Sequence, residues 1–237
     1  MALETLVLLP GLEGTGTLFA DLVAELPQRF KVIVARYPTE RFLSYPELIP
    51  FVREMFPESD PFVIVAESFS TPLAVMLAAK HPSNLAGLIL CAGFVTSPLG
   101  RWSSLARPLV RPMLFRKPPP RLVHKYYSTG FNPPGDLEAR VRAANRQVDP
   151  GVMAGRVREV LDCDARKELA GVEVPFLYIQ GEGDHLVRAR CFEEIRRIRP
   201  DAKLATIAAP HLVLQREPKK ATEIICEFMN SISIPAK

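Results

Sequence analysis

The chain has 237 residues, 48% of them hydrophobic, and a formal net charge of +4. That is enough for one sizeable core. The small charge excess names no partner and gives no ground for expecting a nucleic acid. No run approaches 18 apolar residues, which excludes a membrane-spanning helix. The opening run "LVLLP" has neither the length nor the basic flanks of a signal segment. A cytoplasmic location is the default expectation.

Taken in chain order, the apolar runs "LVLL" from Leu6, "KVIVA" from Lys31, "FVIVA" from Phe62 and "LILCA" from Leu88 read as strands. Their apolar character is continuous rather than alternating, as in a parallel sheet covered on both faces. Helical spacing lies between them, over Thr17 to Leu26, Tyr45 to Met55 and Ser70 to Lys80; the last is apolar all round and expected to be buried. The rhythm resumes with a strand at "PFLYIQ" from Pro175, a helix from Ala189 to Ile198, a strand at "AKLATI" from Ala202 and a helix from Pro218 to Met229. The alternation predicts a doubly wound α/β sheet of about six strands, mostly parallel, with helices on both faces.

From Thr96 to about Glu168 the rhythm stops. Prolines punctuate the first half, notably "PPP" at 118–120 and "PP" at 133–134. Helical stretches begin at Asp136 and at Asp149, the latter an N-cap with Pro150 at the first helical position. A structureless loop of this length is foreign to a compact domain. The segment is therefore read as a helical cap, 96–168, inserted into a core made of 1–95 and 169–237.

Charge is unevenly spread. No Asp or Glu occurs from Ser68 to Gly135, where eight basic residues stand: Lys80, Arg101, Arg107, Arg111, Arg116, Lys117, Arg121 and Lys125. The four cysteines, Cys91, Cys163, Cys191 and Cys226, are far apart, lack zinc spacing and read as reduced thiols, mostly buried.

"FVIVAESFSTPLAVMLA" runs from a strand through Glu-Ser-Phe-Ser into a helix. A sharp turn there would lift the Ser68 hydroxyl beyond the carboxyl end of the sheet, where α/β folds place their ligands. It would also aim the next backbone N–H and the helix N-terminus at a developing oxyanion. Strand-turn-helix nucleophile motifs carry glycines two residues before and two after the serine, because backbones approach closely there. Ala66 and Ser70 occupy those places here. They are small, yet an ordinary strand-end serine fits the same flanks.

A serine nucleophile needs a base and an orienting acid. "YIQGEGDHLV" puts Asp184 in the exit loop of one strand, and "TIAAPHLVLQREP" puts His211 in the exit loop of the next. Chain order is then Ser68, Asp184, His211, the order of α/β-hydrolases. These loops closely resemble the acid and histidine loops of α/β-hydrolases of the carboxylesterase type, and the resemblance covers nearly the whole chain. "LLPGLEGTG" sits where that family carries His-Gly and an oxyanion-hole residue. Pro10 replaces the histidine, Gly11 matches, and the resemblance implies oxyanion donors in the backbone N–H groups of Leu12 and Phe69. The family's strands ahead of this one are missing, which implies a minimal form of the fold.

Rival readings accompany each residue. His211 could be a satisfied loop histidine, and Glu182 is a second acid in the Asp184 loop. His81, His124 and His185 lack a matching position. Glu67 could line the pocket or pair with a base, and no role is assigned to it. "GLEGTG" lacks dinucleotide spacing and a Walker lysine. No metal site and no cofactor are expected.

In the cap, Trp102, Leu105, Leu109 and Met113 keep helical spacing although Pro108 and Pro112 interrupt it. They are expected either to pack over the active site or to line an acyl channel, with Gly11, Trp102, Leu105 and Leu109 as pocket residues. A basic rim there would attract an anionic carrier or lipid head group. Pimeloyl-carrier methyl ester esterases are similar in size and cap placement. The expected activity is cleavage of small to medium carboxylic esters, free or carrier-linked, through an acyl-enzyme. The same triad could serve a thioesterase or acyltransferase. A catalytically silent ligand-binding scaffold is the reading from another class.

Overall fold

A computed structural model describes residues 3–117, 125, 129–131 and 133–233. The Pro118–Pro120 run, Arg121, His124 and the last four residues lie outside the described residues. Strands β1 (Thr5–Leu9), β2 (Lys31–Val34), β3 (Phe62–Glu67), β4 (Leu85–Cys91), β5 (Phe176–Gly181) and β6 (Lys203–Ile207) form one sheet of order β2-β1-β3-β4-β5-β6. Every neighbouring pair is parallel. The helices are α1 (Ala20–Glu25), α2 (Tyr45–Arg53), α3 (Ser70–Ala78), α4 (Ser103–Ala106), α5 (Leu137–Arg146), α6 (Pro150–Asp162), α7 (Arg166–Ala170), α8 (Ala189–Ile198), α9 (Val213–Arg216) and α10 (Pro218–Asn230).

Both faces of the sheet are apolar because both are covered. Leu6, Leu8, Val63 and Val65 pack with residues of α1 and α10. Val7, Leu9, Ile64 and Ala66 alternate with them and pack with residues of α2, α3, α7 and α8. All eight strand residues are fully buried. Thr17–Leu26 is a turn of 3-10 helix at Thr17–Phe19 leading into α1 rather than one helix. β4 starts at Leu85, earlier than the apolar run beginning at Leu88. Gly87 hides that start from a hydrophobicity reading; a Cβ there would crowd the Ile232 and Phe228 side chains.

The chain leaves β1 for β2 on one side, then crosses to β3 on the other side of β1. The carboxyl ends of β1 and β3 therefore diverge at a topological switch point, where open α/β sheets bind ligands. The β1 exit loop and Ser68 both lie there.

Between β4 and β5 the chain builds α4 to α7. Asp149 caps α6 as expected, its Oδ1 accepting the Gly151 N–H at 2.6 Å, and Pro150 takes the first turn. Such caps are worth about 1 kcal/mol. Val152 and Met153 of α6 pack with Leu12 of the β1 exit loop, so this helix lies over that loop. Residues 100–115 do not form the single helix that their spacing implies. Pro108 and Pro112 split them into 3-10 turns at Gly100–Trp102, Arg107–Leu109 and Pro112–Phe115 around the short α4. The side turned toward α6 is the one with small residues: Ala106 and Val110 pack with Ala154 and Leu161. Trp102, Leu105 and Leu109 are exposed.

Candidate active site

Ser68 sits at the end of β3 with φ +48°, the left-handed conformation of a sharp strand-to-helix turn. Its N–H donates to the Cys91 carbonyl at 3.0 Å, and the Thr71 hydroxyl donates to its own carbonyl at 2.8 Å. Ala66 and Ser70 are both fully buried. Ser70 does more than fit where a glycine is usual. Its hydroxyl donates to the Pro10 carbonyl and accepts from the Tyr37 hydroxyl at 2.7 Å. Burial holds the Tyr37 phenol well above its ordinary pKa, in keeping with that donor role. The Tyr45 hydroxyl donates to the Phe69 carbonyl at 2.7 Å. The elbow is thus tied to the β1 exit loop on one side and to α2 on the other.

The Ser68 Oγ lies 2.9 Å from Nε2 of His211. His211 Nδ1 lies 2.8 Å from Oδ2 of Asp184. The other Asp184 oxygen accepts the N–H groups of Leu186 and Val187, each at 2.9 Å, so the carboxylate cannot swing away. Burial pulls the His211 pKa down, but the hydrogen bond and charge of Asp184 outweigh it, and the net shift is upward. Glu182 and His185 are exposed in the same loop, and His81 is exposed elsewhere. The structure brings together Ser68, His211 and Asp184 and leaves these rivals outside.

Leu12 and Phe69 flank Ser68 on the wall of one cavity, with Gly11 beside them. The β1 exit loop is held from above by Arg156 of α6, which is only 2% exposed. One guanidinium nitrogen donates to the carbonyls of Leu12 at 2.9 Å and Glu13 at 2.8 Å; another donates to the Pro38 carbonyl at 2.9 Å. The guanidinium also lies 5.8 Å above the Tyr37 ring and 5.9 Å above the Phe69 ring. Gly14, at φ +67°, is required by this contact: a Cβ there would stand 2.5 Å from an Arg156 nitrogen.

Glu67, next to Ser68, is 2% exposed and accepts a hydrogen bond from Gln215 at 3.0 Å. Gln215 belongs to α9, immediately after His211, so this bond links the serine strand to the histidine loop. Burial, then the charge of Glu13, pushes Glu67 up to about 7 from the ordinary 4.5. The native state therefore holds this proton more tightly than the unfolded chain does. Its contribution to stability falls as pH rises from about 4.5 to about 7 and stays unfavourable above that. Glu67→Gln is expected to raise the melting temperature at pH 8 and to leave it nearly unchanged at pH 5. A loss of stability at pH 8 would contradict the carboxyl's placement.

The cavity above Ser68 has a volume of about 720 Å³. Its walls are mostly apolar, with Phe94, Leu114, Phe115, Val141, Met153 and Leu161 among them. Three expected pocket residues need correction. Trp102, Leu105 and Leu109 are 57, 64 and 70% exposed and do not line the cavity. Proline breaks the segment, and the face carrying them turns to solvent. Leu114 and Phe115, a few residues later, take the place expected of them. Arg156, Tyr37, Gln215 and Glu13 were not among the expected site residues. A signal for Arg156 existed: it stands on the apolar stripe of α6 with Val152 and Met153, where an arginine needs buried acceptors.

Residues 4–218 match the family model described as the alpha/beta hydrolase fold. The chain belongs to that family. It is 27% identical over 246 residues to the polyketide synthase ThaQ of Burkholderia thailandensis, a match that covers 94% of this chain. The match spans only 12% of that relative's length. Among solved structures, an esterase from Thermogutta terrifontis superposes with a TM-score of 0.76 at 22% identity, covering 97% of this chain and 90% of that one. The enol-lactonase from Burkholderia xenovorans LB400 gives 0.74 at 19% identity, covering 98% and 93%. At such identities the likeness shows the shared fold. Among the described residues, no helix is long and apolar enough to cross a membrane.

Proposed function

We propose that this α/β-hydrolase-fold chain is a serine hydrolase that cleaves carboxylic esters of small to medium acyl chains through an acyl-enzyme. The observation that carries the reading is the unbroken chain from Ser68 Oγ through His211 to Asp184, at 2.9 and 2.8 Å, on the floor of an apolar cavity. Residues 96–168 act as a cap over a core of 1–95 and 169–237.

In the reaction, Ser68 Oγ bonds to the ester carbonyl carbon while its proton passes to His211 Nε2. The carbonyl oxygen becomes an oxyanion and takes the N–H groups of Leu12 and Phe69. Asp184 holds Nδ1–H and stabilises the imidazolium. As the tetrahedral intermediate collapses, His211 gives the proton to the leaving alcohol oxygen. Water then enters, loses a proton to His211, attacks the acyl carbon and frees the acid as Ser68 regains its proton. Arg156 positions Leu12, while Ser70 and Tyr37 hold the two donor loops in register.

Turnover of p-nitrophenyl esters from acetate to dodecanoate tests this reading. Activity is expected across the shorter and medium chains and is absent in Ser68→Ala. Wild-type activity indistinguishable from Ser68→Ala on every ester would favour a silent ligand-binding scaffold. The likeness to part of a polyketide synthase supports a second reading, in which the acyl group arrives as a thioester or leaves to an acceptor other than water. Matched ester and thioester substrates separate the two.

A further inference from the structure

The stretch from Leu99 to Leu114 carries six large exposed apolar side chains: Leu99, Trp102, Leu105, Leu109, Met113 and Leu114. Contacts settle its orientation. Ala106 and Val110 pack against α6, while Trp102, Leu105 and Leu109 beside them are 57, 64 and 70% exposed and face outward. An apolar stripe of this size facing water marks a contact surface.

Charge indicates what covers it. Arg101, Arg111, Arg116 and Lys117 are interleaved with the stripe and exposed. Arg107 is already paired with Asp162 at 2.5 Å and is left out. The chain has no acidic residue from Ser68 to Gly135, so this stretch carries no anion of its own. The Arg101 guanidinium lies 5.2 Å from the Trp102 ring, an aromatic-cation pairing suited to a lipid-water boundary. A second copy of the chain is disfavoured, because a two-fold contact would set these cations against their own counterparts.

We propose that this stripe docks the protein on an anionic lipid surface, its apolar side chains entering the acyl boundary and Arg101 and Arg111 meeting the head groups. The cavity supports the placement. Leu99, Leu114, Arg116 and Lys117 belong both to this stretch and to the cavity wall above Ser68. An acyl chain could pass from the lipid into the cavity along apolar side chains. That last step rests on the hydrolase reading; docking itself does not.

Sedimentation with vesicles separates the two. The full chain is expected to pellet with vesicles of phosphatidylcholine containing phosphatidylglycerol and to stay largely in solution with phosphatidylcholine alone. Trp102→Ser with Leu105→Ser and Leu109→Ser is expected to abolish pelleting while leaving turnover of a short water-soluble ester unchanged, which shows the variant is folded. Arg101→Glu with Arg111→Glu is expected to weaken partition by at least about tenfold. Ser68→Ala is expected to pellet like wild type, so failure of the hydrolase reading would not touch this result. Absence of pelleting with both vesicles would overturn the proposal. So would a wild-type dimer that the triple serine variant converts to monomer, or binding of an acidic carrier protein without binding of vesicles.

Discussion

Ser68→Ala is expected to lower kcat on a medium-chain ester by about 10⁴-fold or more, with the melting temperature kept. The alanine removes the attacking oxygen and leaves the elbow's other bonds in place. Ser70 still bonds Pro10, and Thr71 still bonds the carbonyl of residue 68. His211→Ala is expected to cost a similar factor, because the serine then lacks a base at Oγ. The two losses should not add, since either one disables the same proton transfer. Wild-type turnover in either variant would remove these residues from the chemistry.

Arg156→Ala is expected to be the most damaging change outside the Ser68–His211–Asp184 chain. It removes the donors to the carbonyls of Leu12, Glu13 and Pro38 and the positive charge that offsets part of the burial of Glu13. Breaking a buried charged contact of this kind costs about 3–5 kcal/mol. For a chain of this size that is a fall of roughly 6–20 °C in melting temperature. Leu12 would also lose its anchor; with its N–H as the proposed oxyanion donor, displacement is expected to cost about 10²- to 10³-fold in kcat. Arg156→Lys should recover little, because one ammonium cannot reproduce a planar fork that spans three carbonyls. Thermal melting and kcat on the same preparations check both effects. A melting temperature within about 2 °C of wild type would contradict the anchoring role.

The four inner strands are legible in the sequence because they are largely buried on both faces and read as apolar runs, whereas the edge strands β2 and β6 are partly exposed. The positions of Ser68, Asp184 and His211 are legible because each follows a strand of the alternating pattern. Two things were not. Ser70 looked only like a small substitute for a glycine, since a bond to Pro10, sixty residues away, leaves no local pattern. The outward face of residues 100–109 was misread because helical spacing alone does not say which stripe faces in. Here the smaller Ala106 and Val110 pack against α6, and Trp102 and Leu105 are left exposed. Arg156 follows the same logic in reverse, a charged residue drawn inward by carbonyls contributed by distant loops.

The most direct test of the account is covalent labelling with a fluorophosphonate, followed by peptide mass mapping, on wild type and His211→Ala. Label on Ser68 in the wild type, reduced at least about hundredfold in rate in the variant, is the expected result and shows a serine activated by His211. A folded wild-type protein that takes no label, or takes it equally well without His211, would contradict the account.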